Sequence, residues 1–153
     1  MGEYMEKYII LEIIPTATKD GDIVQLSALK IHDLKLIDRF DYRLNENKIP
    51  YRDLIKMISY DKDKFIYKNS TKKIMSAFKK WCKNYDLLII DNSYTLNYLD
   101  SLNNKKESVF KYLNMEYNDN IIEDIIKKYK LEPSNYIVDL LYEALIYESN
   151  NQG

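Results

Sequence analysis

Few side chains in this 153-residue chain can do chemistry by themselves, and that scarcity narrows the options. The single histidine, His32, excludes a His-rich metal cluster and leaves one imidazole base. The single cysteine, Cys82, excludes an internal disulfide framework and a Cys-based zinc site. Three glycines leave no room for a glycine-rich loop that cradles phosphate. What remains is carboxylates, amides, hydroxyls and lysines. Glu12 interrupts the apolar run Tyr8 to Ile14, Asp91 stands at the mouth of Leu87 to Ile90, and Asp139 falls inside an apolar helical stripe. Carboxylates in such places can hold a hard divalent cation. The 23 basic and 24 acidic side chains give a net charge of −1, which argues against a polyanion binder driven by bulk electrostatics.

The elements that must position these acids follow from hydrophobic period. The length suits one domain, expected over residues 1–148 with a frayed tail over 149–153. Tyr8 to Ile14 reads as a buried strand, because it is short, continuous and rich in isoleucine. Ile23 to Ile31 and Leu34 to Leu44 read as two more strands, joined to the first by short turns into an antiparallel meander. A helix capped by Ser70 or Thr71 follows, with Ile74, Ala77, Phe78, Trp81 and Cys82 on its apolar face and five lysines mostly on the other. Leu87 to Ile90 is a short buried strand reached by a crossover, and Tyr94 to Leu102 a short helix after it. The last third is helical: Ile121, Ile122, Ile125, Ile126 and Tyr129 form one stripe, with Glu123–Lys127 and Asp124–Lys128 as outward i,i+4 pairs. Ile137, Leu140, Leu141, Ala144, Leu145 and Glu148 form another, after Pro133-Ser134. No stretch is apolar for the length of a membrane span and no signal peptide precedes Tyr8, so no membrane association and a cytoplasmic location are expected.

Three antiparallel strands, a crossover strand and carboxyl-terminal helices make an α/β, RNase H-like mixed sheet. Within that order, Tyr8 to Thr16 resembles the opening strand of the DEDDh 3′→5′ exonucleases, the family of the bacterial proofreading subunit. Ile23 to Ile31 and Asp38 to Asn45 are similar to its second and third strands, and Leu87 to Leu99 to its strand-to-helix segment. Tyr112 to Asn118 and Ile122 to Leu141 resemble its closing helices, so the likeness runs from about Tyr8 to Glu148. The resemblance implies four carboxylates and a general base around two divalent ions that activate water and stabilise the leaving oxygen. Carried onto this chain, the first position is Glu12, one methylene longer than the family's aspartate. The second is Ile14, the third Thr95, the fourth Leu140, and the histidine position is Asn135. Three ligands and the base are therefore replaced, and His32 matches no catalytic place.

Asp91 and Asp139 are the acids that could substitute. On a helix one residue is a rotation of about 100°, so with Leu140 turned inward Asp139 is expected to point away from the sheet. Asp91 with Glu12 would hold one weakly bound Mg²⁺ or Mn²⁺ at best, and otherwise no cofactor is expected. Each sharper reading has a plainer rival. Glu12 is a metal ligand or a leftover carboxylate; the lysine face is a phosphate patch or a solvated helix face. Tyr94, Tyr98 and Tyr112 stack bases or simply pack, and in a chain of 15 tyrosines packing is the simpler account. Phe78, Trp81 and Cys82 are expected in the core, and His32 in a turn. Three functions remain open: a pseudo-nuclease kept as a binding or scaffolding module for a protein partner or a nucleic-acid end, a slow metal-dependent exonuclease on single-stranded DNA or RNA, and a non-enzymatic nucleic-acid binder. Nucleic-acid contacts would fall at Thr16, Asn92, Tyr94 and Tyr98.

Overall fold

A computed structural model describes residues 6–15, 23–43, 71–90, 98–134 and 137–151. Strands β1 (Lys7–Pro15), β2 (Ile23–His32) and β3 (Lys35–Arg43) lead into helix α1 (Thr71–Trp81), strand β4 (Asp86–Ile89) and strand β5 (Lys106–Ser108). Helices α2 (Phe110–Leu113), α3 (Ile121–Tyr129) and α4 (Ile137–Asn150) close the chain. The sheet order is β3-β2-β1-β4-β5, with β1–β2 and β2–β3 antiparallel and β1–β4 and β4–β5 parallel. The fold is thus α/β: a five-stranded mixed sheet flanked by helices.

The expected meander is present, and its turn is tighter than the sequence suggested. Leu34 belongs to the β2–β3 turn, where Asp33 and Leu34 both have positive φ, at 51° and 70°. Two such residues give the twist a short hairpin favours, at a steric cost for leucine. The Tyr142 hydroxyl of α4 donates to the Leu34 carbonyl at 2.7 Å and holds the turn from above.

Alternation in the strands sends successive side chains to opposite faces. On one face Ile9, Leu11, Ile13, Leu26, Ala28 and Phe40 pack with Ile74, Phe78 and Cys82 of α1 and its turn. On the other, Tyr8, Ile10, Leu29, Ile31 and Leu88 pack under α2, α3 and α4. Ala77 of α1 is exposed, contrary to its expected inward place, because the buried stripe of this helix is the narrower series Ile74, Phe78, Cys82. Trp81 sits at the rim of that core. Its ring lies 5.3 Å from Phe40 and 5.9 Å from Phe78, while its Nε1 donates to Asp38 at 2.9 Å.

Strand β5 was not anticipated; Lys106-Glu107-Ser108 has no apolar period to announce it. Of the helix expected over residues 94–102, only a single turn near Tyr98 lies among the described residues. Lys128 donates to the Leu113 carbonyl at 2.6 Å, so it tethers α3 to the end of α2. Helix α4 continues through Ser149 and Asn150, past the expected start of the tail. No helix among the described residues is long and apolar enough to cross a membrane.

Candidate functional site

Glu12 lies near the carboxyl end of β1 on the face that α4 covers. The hairpin register sets Glu12 opposite Ser27 of β2, and Ser27 opposite Asp41 of β3. These three share one face as a polar row across the sheet. Gln25 lies on the same face of β2 one step along and donates from Nε2 to Ser27 Oγ at 3.3 Å. Arg39 lies one step back on β3 and donates from Nε to Asp41 Oδ2 at 3.1 Å.

The row is sealed more than its composition suggests. Glu12, Gln25 and Ser27 are all buried. Among the described residues, Glu12 Oε1 and Asp41 Oδ1 find no hydrogen-bond partner. Burial penalises the charged form of Glu12 and pushes its carboxyl up from 4.5 to about 8, so near neutral pH it is held mostly protonated. A neutral carboxylic acid is a poor ligand for a hard cation, and an ion entering here would have to displace a proton.

Helix α4 supplies the other wall. Leu140, at the fourth ligand position the resemblance implies, is buried in the apolar core beneath this helix. Asp139 does not point away from the sheet as expected. It grips Arg39 in a bidentate pair, Nη1 to Oδ1 at 2.8 Å and Nη2 to Oδ2 at 3.3 Å, and so faces the β3 edge. This orientation has a simple cause. Arg39 reaches up from β3, and a rotation of 100° from an inward leucine lands a side chain beside the sheet rather than opposite it. Engaged this way, Asp139 is committed to structure.

The remaining expected residues divide cleanly. Tyr98 is half-buried against the α1-side core, so the sheet separates it from Glu12. Tyr112 packs on the α4 side, but its hydroxyl is used on Glu107. Cys82 is buried and its thiol is pushed up to about 12, mainly by burial, which makes it an inert core residue. Ile14 keeps its place in β1 opposite Gln25. Thr16, Asp91, Asn92, Tyr94, Thr95 and Asn135 lie outside the described residues.

Sequence reading missed Gln25, Ser27, Arg39 and Asp41. Ser27 meets Glu12 through the β1–β2 register, which neither residue's neighbours announce. The turn at Asp33-Leu34 alone would set Ser27 opposite Phe40 of β3; the register shift between Lys30 and Ile31 brings Asp41 there instead. A single inserted residue moves a whole strand relative to its partner. No protein-family model matches this chain, and no curated protein matches it.

Proposed function

We propose that this chain is a catalytically inactive, DEDDh exonuclease-like module of RNase H-like fold, retained to bind or scaffold a protein partner or a nucleic-acid end. The observation that carries this reading is the state of the one acid kept at a ligand position. Glu12 is buried with an unpaired oxygen and an elevated pKa. Leu140 fills the place of a second ligand with apolar surface, and Asp139 is tied to Arg39. Among the described residues, this set does not fit a pair of divalent ions, which need several ionised oxygens around each.

A slow exonuclease is the second reading, and the orphaned Glu12 oxygen is what favours it, since one bound cation would satisfy it. Incubation of 5′-labelled single-stranded DNA and RNA with the protein and excess Mn²⁺ tests both. The inactive module leaves the oligonucleotides intact. Shortening from the 3′ end that disappears in Glu12→Ala would establish the second reading instead. Binding of the same oligonucleotides across a salt series then separates partners. A negative slope of log affinity against log salt marks a nucleic-acid end, and no binding at low salt marks a protein.

A further inference from the structure

At the opposite end of β1 from Glu12, three side chains with metal-binding atoms converge where no role has yet been assigned. Glu6 immediately precedes β1, His32 ends β2, and Asp33 opens the β2–β3 turn. Their ligand atoms, one from each residue, all lie within 4.8 Å of one another. His32 Nε2 is 3.5 Å from Glu6 Oε1 and 3.6 Å from Asp33 Oδ2. Those separations are long for charge-assisted hydrogen bonds, which run about 2.7–2.9 Å. They match a different geometry. Around a tetrahedral zinc with bonds of about 2.0–2.2 Å, neighbouring ligand atoms stand about 3.3–3.6 Å apart.

From this geometry we infer that Glu6, His32 and Asp33 form a binding site for a divalent transition-metal ion, zinc in the first instance. One imidazole and two carboxylates supply three corners of a tetrahedron, and water completes the fourth. A hard all-oxygen set would favour magnesium, calcium or manganese; a mixed nitrogen and oxygen set suits zinc, cobalt or nickel. The backbone holds the residues together before any ion arrives. The Asp33 N–H donates to the Glu6 carbonyl at 2.9 Å, and His32 is locked in register with Lys7. Partial exposure of all three side chains leaves an open entry path. Lys7 and Lys35 are the register partners of His32, and their ammonium groups oppose the ion. Lys7 is turned toward the Tyr85 ring, 6.0 Å from its centroid. Competition of this kind sets the affinity well below that of structural zinc centres.

The site stands about 20 Å along β1 from Glu12, six residues at the rise of a strand, so its fate is independent of the proposed loss of nuclease chemistry. Titration of the full chain with Zn²⁺ by calorimetry, and with Co²⁺ by visible absorption, tests it. One ion per chain is expected, with the intense visible bands of four-coordinate cobalt. His32→Ala should weaken binding by at least about tenfold, no less than loss of a residue that merely orients a ligand. Asp33→Asn, which keeps a residue tolerant of positive φ in the turn, should weaken it as well. Glu12→Gln should leave it unchanged. No Zn²⁺ binding by the full chain, or binding that survives both His32→Ala and Asp33→Asn, would overturn the assignment. So would binding that is lost on Glu12→Gln.

Discussion

The two faces of the central sheet are built from the same strands and treat polarity in opposite ways. Toward α1, the alternate residues Ile9, Leu11, Ile13, Leu26 and Ala28 are apolar and buried, and the aromatic trio Phe40, Phe78 and Trp81 closes the rim. Toward α4, the same strands begin with Tyr8, Ile10, Leu29 and Ile31, then switch to Glu12, Ser27, Gln25 and Asp41 near the carboxyl end of β1. A face selected for packing alone would have no reason to keep that row, since an unpaired buried carboxyl costs stability. One face is therefore an apolar wall, and the other carries a buried polar row.

Substitutions can break that contrast. The largest effect is expected for Leu140→Asp, which puts a carboxylate at the position where the resemblance implies a fourth ligand. It removes a buried leucine, worth about 2–5 kcal/mol by the cost of truncation, and adds a buried charge besides. Denaturant unfolding without divalent ions should show a loss at or beyond the top of that range. Stability close to that of the unmodified chain would mean the α4 face is open to water. On the other face, Phe78→Ala should cost about 3–5 kcal/mol with little change between about pH 4 and 9, because it opens a cavity in an apolar core.

Glu12→Gln should separate the faces by pH instead of by size. Glu12 has a folded pKa of about 8 against 4.5 when unfolded, so between those values the folded state binds the extra proton. Stability at this residue is thus intact below pH 4.5 and lost as pH rises toward 8. The glutamine variant should unfold like the parent near pH 4 and be more stable by a few kcal/mol at pH 9. Identical pH profiles for parent and variant would show that Glu12 is solvated or paired. The smallest change belongs to Asp139→Asn. Its pair with Arg39 is about a third exposed on each side, so screening should limit the loss to about 0.5–1 kcal/mol, shrinking with added salt.

Much of the scaffold was legible in the sequence because its signals are local. The isoleucine-rich run of β1 and the spacing of Ile74, Phe78 and Cys82 each encode an element through burial period alone. The candidate site was less legible, because it depends on register between strands and on one helix rotation. Glu12 could be found as a polar break in an apolar strand. Its partners in the row could not, since Asp41 reaches it only through a register shift in β2–β3. Asp139 was placed on the wrong side because the sequence does not reveal Arg39 waiting across the gap. Strand β5 escaped notice because three half-buried polar residues pair through backbone alone.

The proposal that this chain does not cleave phosphodiesters meets one measurement directly. Purified protein is incubated with 5′-labelled single-stranded DNA and RNA in excess Mn²⁺ beside the Glu12→Ala variant, and products are resolved at nucleotide length. Full-length oligonucleotide is expected in every lane. A ladder shortening from the 3′ end with the parent chain, and none with Glu12→Ala, would contradict it.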